Sequence, residues 1–305
     1  MTLTVAGLSV IAEDVVRLRL VDDAGVTLPD FEAGAHVELS FAGFRRRYSL
    51  TSSPSDRSAY EVMVLRARPG RGGSAFVHNQ LTVGDTLDVS EPVNGFALDR
   101  QARHHVFIGG GIGLTPFYTM TETLASVGQT FHVHYVVRSQ ARALPTDAFG
   151  GHVSLHAGPG ARRSLGLPTL LASLDATTAV YGCGPVTLLD DLRHVSRDLD
   201  WPAGRLRVET FGPGARPQDG TLSIRLSQSG TTLVAPPSAS ILDALLAHGV
   251  FVGADCRRGE CGACIVSVEG GDIDHRDVCL TPEQRRNLMC TCVSWSRTPD
   301  VTLAL

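Results

Sequence analysis

Three cysteines near the end of this chain, Cys256, Cys261 and Cys264, follow one another as C-x4-C-x2-C, and Cys292 comes after 27 further residues. Three thiolates converging from one loop, with a fourth from a later strand, are the ligand pattern of a [2Fe-2S] cluster. The loop, Asp255-Cys256-Arg257-Arg258-Gly259-Glu260-Cys261-Gly262-Ala263-Cys264, must turn tightly and let its backbone approach inorganic sulfide. Gly259 and Gly262 provide residues without side chains for that purpose. Zinc sites usually pair their cysteines in two short C-x2-C knuckles, and that pairing is absent. Cys290 competes with Cys292 for the fourth position: the context Cys292-Val293-Ser294 favours Cys292, while spacing admits either.

At 305 residues the chain exceeds what one core fills, so two or three domains are expected. No apolar run approaches the length of a membrane span, and no basic region precedes an apolar block at the start, which gives the expectation of a cytoplasmic protein without membrane attachment. Seven cysteines, an odd number in ligand spacing, suit a reducing compartment. A net charge of -4 gives no electrostatic case for nucleic acid. All 27 basic residues are Arg, which excludes Schiff-base lysine chemistry and a Walker-type phosphate loop.

Residues 1–99 read as short alternating strands at 3–10, 14–21, 35–41, 47–52, 60–67 and 86–90, the pattern of a small antiparallel β-barrel. In Arg46-Arg47-Tyr48-Ser49-Leu50, alternation puts Arg46 and Tyr48 on one face, where a guanidinium can meet a phosphate and a phenol can lie along an aromatic ring system. Ser49 faces the other way or sits at the strand end, able to offer a hydroxyl. Pro69-Gly70-Arg71-Gly72-Gly73-Ser74 runs into a short helix that Ser74 is placed to cap, a start that suits an anion. The two features together predict a mononucleotide site.

Residues 100–211 alternate strand and helix. A strand at 106–108 leads into Gly109-Gly110-Gly111-Ile112-Gly113-Leu114-Thr115-Pro116 and a helix over 117–126, the strand–turn–helix cradle of a pyrophosphate. The turn departs from G-x-G-x-x-G and reads G-x-G-x-x-P. Strands at 131–137, 152–156, 179–182 and 206–209, with helices at 168–173 and 186–199, predict a parallel sheet with crossover helices, an α/β nucleotide domain. Tyr181-Gly182-Cys183-Gly184-Pro185 ends a strand at the carboxyl edge, where Cys183 either approaches a nicotinamide or packs as a small apolar residue. His104, His105, His132 and His134 have no companion ligands at metal spacing and read as surface or core residues.

Residues 212–220 are rich in Pro and Gly and read as a linker. In 221–305 a hairpin (222–226 and 232–235), a helix over 241–248 that Ser240 can cap and Gly249 can end, and the cysteine loop follow in order. That order resembles the β-grasp fold, an α+β arrangement, of plant-type ferredoxins. With Arg46-Arg47-Tyr48-Ser49-Leu50, Gly70-Arg71-Gly72-Gly73-Ser74, the glycine turn, Tyr181-Gly182-Cys183-Gly184-Pro185, Glu209-Thr210-Phe211 and Asp274-His275-Arg276-Asp277 in this sequence, the whole chain resembles the phthalate dioxygenase reductase type, also seen in vanillate O-demethylase reductases.

The resemblance implies FMN in the barrel, NADH in the α/β domain, and a ferredoxin domain that passes electrons to a partner oxygenase of the Rieske mono- or dioxygenase or demethylase kind. It assigns Arg46, Gly72, Gly73 and Ser74 to the flavin phosphate and Tyr48, Ser49 and Leu50 to the flavin. Gly110, Gly111, Gly113, Thr115 and Arg138 fall to the dinucleotide, Cys183 and Glu209 to the hydride path, and Phe211 to the flavin face that nicotinamide must reach. Cys256, Cys261, Cys264 and Cys292 hold the cluster. Members with an N-terminal ferredoxin domain generally use FAD, so the order here favours FMN. Arg162 and Arg163 stand where acidic residues are expected, which leaves NADPH open through a 2'-phosphate contact. Nicotinamide gives two electrons and the cluster takes one, so a flavin must stand between. Arg257, Arg258 and Glu260 are candidates for a docking surface, and a monomer is expected. A cytochrome P450 or reductive dehalogenase is the alternative acceptor, and a non-enzymatic redox-sensing iron–sulfur flavoprotein the alternative class.

Overall fold

Along Val15–Val21 the side chains of Val16, Leu18 and Leu20 are buried while Arg17 and Arg19 face solvent, and this period of two builds the first sheet. The computed structural model describes residues 1–68, 72–202, 204–211, 219–237, 239–255, 257, 259, 261–277 and 279–305. Its six antiparallel strands are β1 (Thr2–Ala12), β2 (Val15–Val21), β3 (His36–Phe41), β4 (Phe44–Ser49), β5 (Tyr60–Leu65) and β6 (Thr86–Val89), in the order β4-β3-β6-β1-β2-β5. Beyond β4, Leu50 bridges to Val62 and the Thr51 N–H donates to the Glu61 carbonyl at 2.8 Å, which brings the two edge strands together as a barrel. Leu3, Val5, Leu18, Leu39 and Tyr60 fill its core; each such side chain contributes about 1.5–3 kcal/mol of burial.

One short helix, α1 (Gly73–Asn79), follows β5, and here the sequence expectation needs correcting. Ser74 lies inside the helix instead of capping it, because its hydroxyl accepts the Ala67 N–H at 3.0 Å. Gly72, with φ of 85°, precedes the first turn.

The parallel sheet consists of β7 (His104–Gly110), β8 (Thr130–Val137), β9 (Val153–Ala157), β10 (Thr178–Cys183) and β11 (Leu206–Glu209), in the order β11-β10-β7-β8-β9. Helices α2 (Thr115–Ser126), α3 (Ala161–Ser164), α4 (Leu167–Ala172) and α5 (Val186–Asp198) make the crossovers. Every residue of β10 is buried, as a central parallel strand covered on both faces requires. The order reverses between β7 and β10, and the crevice beyond their carboxyl ends is where such sheets bind ligands. Arg142 ties this sheet to the barrel through Glu13 (2.8 Å) and Asp14 (3.1 Å), and Arg207 reaches Asp99 at 3.0 Å in the connecting segment.

Barrel and parallel sheet lie in one compact unit, Met1–Glu209, and Thr210–Leu305 forms a second. In the second, β12 (Leu222–Leu226), β13 (Thr232–Ala235), α6 (Ile241–Ala247), β14 (Ile265–Gly270), β15 (Ile273–Asp274), β16 (Leu288–Cys290), β17 (Trp295–Ser296) and β18 (Asp300–Leu303) follow in order. The main sheet runs β13-β12-β18-β14-β16, with β12 and β18 parallel and the other pairs antiparallel, a β-grasp. Ser240 caps α6 as expected: its hydroxyl accepts the Asp243 N–H at 3.0 Å, the Asp243 carboxylate accepts the Ser240 N–H at 3.3 Å, and Gly249 follows with φ of 76°. No helix of the described residues is long and apolar enough to cross a membrane.

Candidate functional site

β4 presents Phe44, Arg46 and Tyr48, each half-buried, on one face and the exposed Arg45 and Arg47 on the other. The Arg46 guanidinium lies 5.4 Å from the centre of the Phe44 ring. A Cβ on Gly73 would come within 3.0 Å of Arg46 Nε, so a glycine lets the start of α1 sit against that guanidinium. Burial pushes the Tyr48 phenol up to about 12, with Arg46 partly opposing, and the ring stays neutral. Ser49 is buried, and its hydroxyl has no hydrogen-bond partner among the described residues. A buried hydroxyl left in that state costs about 1–3 kcal/mol, which a flavin heteroatom would recover. Guanidinium, neutral phenol and unsatisfied hydroxyl on one short strand therefore fit a flavin mononucleotide. Leu50 is fully buried in the barrel core. Gly70 and Arg71 lie outside the described residues.

At the switch point of the parallel sheet, β7 ends in Gly109-Gly110, passes through one 3-10 turn (Gly111–Leu114) and enters α2 with Thr115 and Pro116 as its first residues. A Cβ on Gly113 would stand 2.3 Å from the Cys183 carbonyl oxygen, so only glycine allows the turn to close on the end of β10. Cys183 is in register with Gly109 on β7 and with Glu209 on β11, and both Cys183 and Glu209 are buried. The glycine turn, Cys183 and Glu209 thus meet at one edge, a cradle that fits a dinucleotide. The Thr115 hydroxyl donates to the Ile112 carbonyl at 2.9 Å and stiffens the turn. Arg138 is exposed directly after β8, at the same carboxyl edge. Arg162 is paired to Asp191 at 2.7 Å, while Arg163 is exposed. Phe211 belongs to the second unit and is 41% exposed.

Of the four cysteines expected to hold the cluster, Cys256 lies outside the described residues, as do Arg258 and Glu260. Cys261 is exposed, and Cys264 and Cys292 are buried. Thr291 holds the second stretch against the first, its N–H and hydroxyl both donating to the Cys264 carbonyl at 3.2 and 3.0 Å. Hydrogen bonds from Cys290 and Cys292 hold the Cys264 thiol well below its ordinary range. Cysteine thiolates are the ligands that hold a [2Fe-2S] cluster, and a thiol held low is suited to that part. The fourth ligand was expected on a strand; β16 stops at Cys290, and Cys292 sits in the turn beyond it. Gly259, with φ of 75°, has Asp277 so close that a Cβ would lie 2.9 Å from the Asp277 Cα. Arg257, a docking candidate, is paired to Asp243 at 2.8 Å.

Two supporting arrangements escaped the sequence reading. Arg276, buried, forms a two-pronged pair with Asp219 (2.8 and 2.5 Å) and also reaches Asp274 (2.9 Å). Composition had assigned Asp219 to the linker; only the acidic residues flanking His275-Arg276 hinted at such a pair. In the parallel sheet, His134 Nδ1 stands 3.5 Å from His156 Nε2, and the His132 ring lies 4.8 Å from that of His134. Burial, reinforced by the two neighbouring imidazoles, lowers His134 to about 4. The i, i+2 spacing of His132 and His134 was the available signal, and His156 arrives from the neighbouring strand.

A family model described as a 2Fe-2S iron-sulfur cluster binding domain matches residues 224–294. Over 301 residues the chain is 38% identical to phenoxybenzoate dioxygenase subunit beta of Ectopseudomonas oleovorans, covering 96% of this chain and 94% of that one. The solved structure of phthalate dioxygenase reductase, described as modular for electron transfer from pyridine nucleotides to [2Fe-2S], superposes with a TM-score of 0.75 at 31% identity, covering 100% of this chain and 98% of that chain. An intact type IV self-sufficient cytochrome P450 monooxygenase matches at TM-score 0.69 and 36% identity, over 100% of this chain and 41% of its own. With these end-to-end similarities, the chain belongs to the phthalate dioxygenase reductase family of oxidoreductases.

Proposed function

We propose that the protein is the reductase component of an oxygenase system, with residues 1–99 holding FMN, 100–211 binding NADH, and 221–305 carrying a [2Fe-2S] cluster whose electrons go to a partner oxygenase. Flavin and cluster, when bound, supply the change from a two-electron donor to one-electron delivery. The observation that carries the reading is the presence on one chain of a flavin-fitting strand, a dinucleotide cradle and a cysteine loop, in the order of a full-length relative.

Each residue has a defined part. Arg46 offers charge and a fork of donors to a phosphate. Tyr48, held neutral, would lie along the flavin's aromatic ring without adding a charge, and Ser49 would hydrogen-bond a heteroatom at its edge. Gly110, Gly111 and Gly113 let a pyrophosphate approach the backbone ahead of α2. Cys183 and Glu209 line the edge where the nicotinamide would enter, and the family resemblance assigns Phe211 to the flavin face. Cys256, Cys261, Cys264 and Cys292 hold the iron. Of the two arginines that could meet a 2'-phosphate, Arg162 is paired to Asp191 at 2.7 Å, which favours NADH over NADPH.

The partner meets the face around Cys261, which is exposed. Phe251, 88% exposed, enters this region just before Gly253, where a Cβ would lie 2.6 Å from the Ala263 carbonyl of the cysteine loop. A Rieske-type oxygenase is the first reading for that partner; a haem monooxygenase is the second, favoured by the likeness to a self-sufficient cytochrome P450. Purified protein containing flavin, iron and acid-labile sulfide should reduce cytochrome c with NADH and lose that activity when flavin is removed. Inactivity of the loaded protein with both NADH and NADPH would overturn the proposal.

A further inference from the structure

Outside the four proposed ligands, two thiols stand beside the cluster loop. Cys279 Sγ and Cys290 Sγ are 3.3 Å apart, closer than two unbonded sulfurs usually pack and little more than an ångström beyond a disulfide of about 2.05 Å. Neither depends on the other for its position. Cys290 ends β16 and is held by ladder pairing with Ile265. The loop bearing Cys279 is fastened by Asp277, whose carboxylate accepts from the Leu280 N–H (3.1 Å) and Arg285 Nη2 (3.2 Å) while its carbonyl accepts from Arg285 Nη2 (2.6 Å). Asp277 is also within reach of both sulfurs. Its carboxylate is already engaged there and by the Ser294 hydroxyl at 3.3 Å, so binding a cation would break the bonds that shape the loop.

Access differs between the two. Cys290 is fully buried, whereas Cys279 is partly exposed, so a small oxidant meets Cys279 first and finds Cys290 in place to resolve the product. We infer that Cys279 and Cys290 are a redox modification site, separate from the cluster ligands, which forms a reversible intramolecular disulfide with hydrogen peroxide as oxidant. The Cys279 sulfur attacks peroxide, the O–O bond breaks and one water leaves, giving a sulfenic acid. The Cys290 sulfur then displaces the hydroxyl, the S–S bond forms and a second water leaves. Two thiols and one peroxide become one disulfide and two waters; sulfur loses two electrons and peroxide gains them. A dithiol reductant reverses the change. The bridge would tether the strand end two residues before Cys292.

This inference rests on Cys292 as the fourth iron ligand. Holoprotein is treated with excess hydrogen peroxide, alkylated with iodoacetamide and mapped by mass spectrometry without reduction. The expected product is a peptide pair joined through Cys279 and Cys290, about 2 Da lighter than its reduced parts for the two hydrogens lost, abolished by dithiothreitol and absent from Cys279→Ser and Cys290→Ser. Cys279→Ser should keep wild-type iron content; Cys279→Ala is the second substitution at the partly exposed position, and mapping of the wild-type protein needs no variant. Alkylation of both thiols after treatment, a bridge to Cys261, Cys264 or Cys292 instead, or loss of iron from Cys279→Ser would each overturn the inference. Failure of the reductase reading would appear separately, as absent cytochrome c reduction with the bridge still forming.

Discussion

The proposed cluster ligands come from two short stretches, the loop 256–264 and Cys292, whereas the proposed flavin and nucleotide positions come from β4, α1, the turn after β7, β10 and β11. In the second unit the chemistry sits in ligand identity, and the fold around it fastens two loops with Thr291, Asp277 and Arg276. In the first unit the site is a matter of fit: a glycine where a carbonyl passes, a hydroxyl aimed inward, a phenol kept neutral. A ligand-defined site should fail all at once and a fit-defined one by degrees.

The sharpest test of that contrast is Cys264→Ser, expected to remove essentially all cluster iron while flavin content stays near wild type, both read by metal and flavin analysis of the same sample. Arg276→Ala is expected to destabilise the second unit by about 3–5 kcal/mol, since it takes the guanidinium away from the buried Asp219 carboxylate. Denaturant titration followed by cluster absorbance should show that shift, with flavin fluorescence barely moved; equal shifts in both signals would break the contrast. Gly113→Ala should cost about 1–3 kcal/mol in overpacking against the Cys183 carbonyl, seen as a raised KM for NADH with flavin retained. Ser49→Ala should weaken flavin binding about tenfold yet leave the flavin-free protein as stable or more so, because the unsatisfied hydroxyl is gone; a large loss of stability without flavin would contradict its assigned part.

The smallest effect concerns pH. His134 is held at about 4, below the ordinary 6.5, so in that window the unfolded chain binds more protons than the folded one. Stability of the first unit therefore falls as pH drops from about 6.5 towards 4, by about 1 kcal/mol once partial exposure is discounted. His134→Gln should flatten that slope in denaturant midpoints measured at several pH values, and an unchanged slope would remove the imidazole stack as its cause.

How far the sequence discloses the molecule follows the same divide. The C-x4-C-x2-C spacing, the Ser240 cap and the glycine turn are legible because each is closed within a dozen residues. Ser74 misled because the Ala67 N–H, seven residues earlier, takes its hydroxyl. Asp300–Leu303 went unread since its place is defined by parallel pairing with Leu222–Leu226, far upstream. Asp219 carried the composition of a linker and the geometry of an anchor. His156 joined His132 and His134 only once β9 lay beside β8. Residue types announced the chemistry; partners distant in sequence stayed hidden until the sheets assembled.

Rapid-freeze electron paramagnetic resonance of the holoprotein, mixed anaerobically with NADH, follows the reduced cluster directly. The signal should rise only after flavin absorbance has begun to fall, and it should be missing from protein stripped of flavin but still holding iron. A cluster signal that grows in flavin-free protein at the same rate, or never grows in protein carrying both groups, would contradict electron relay through the barrel to the cysteine loop.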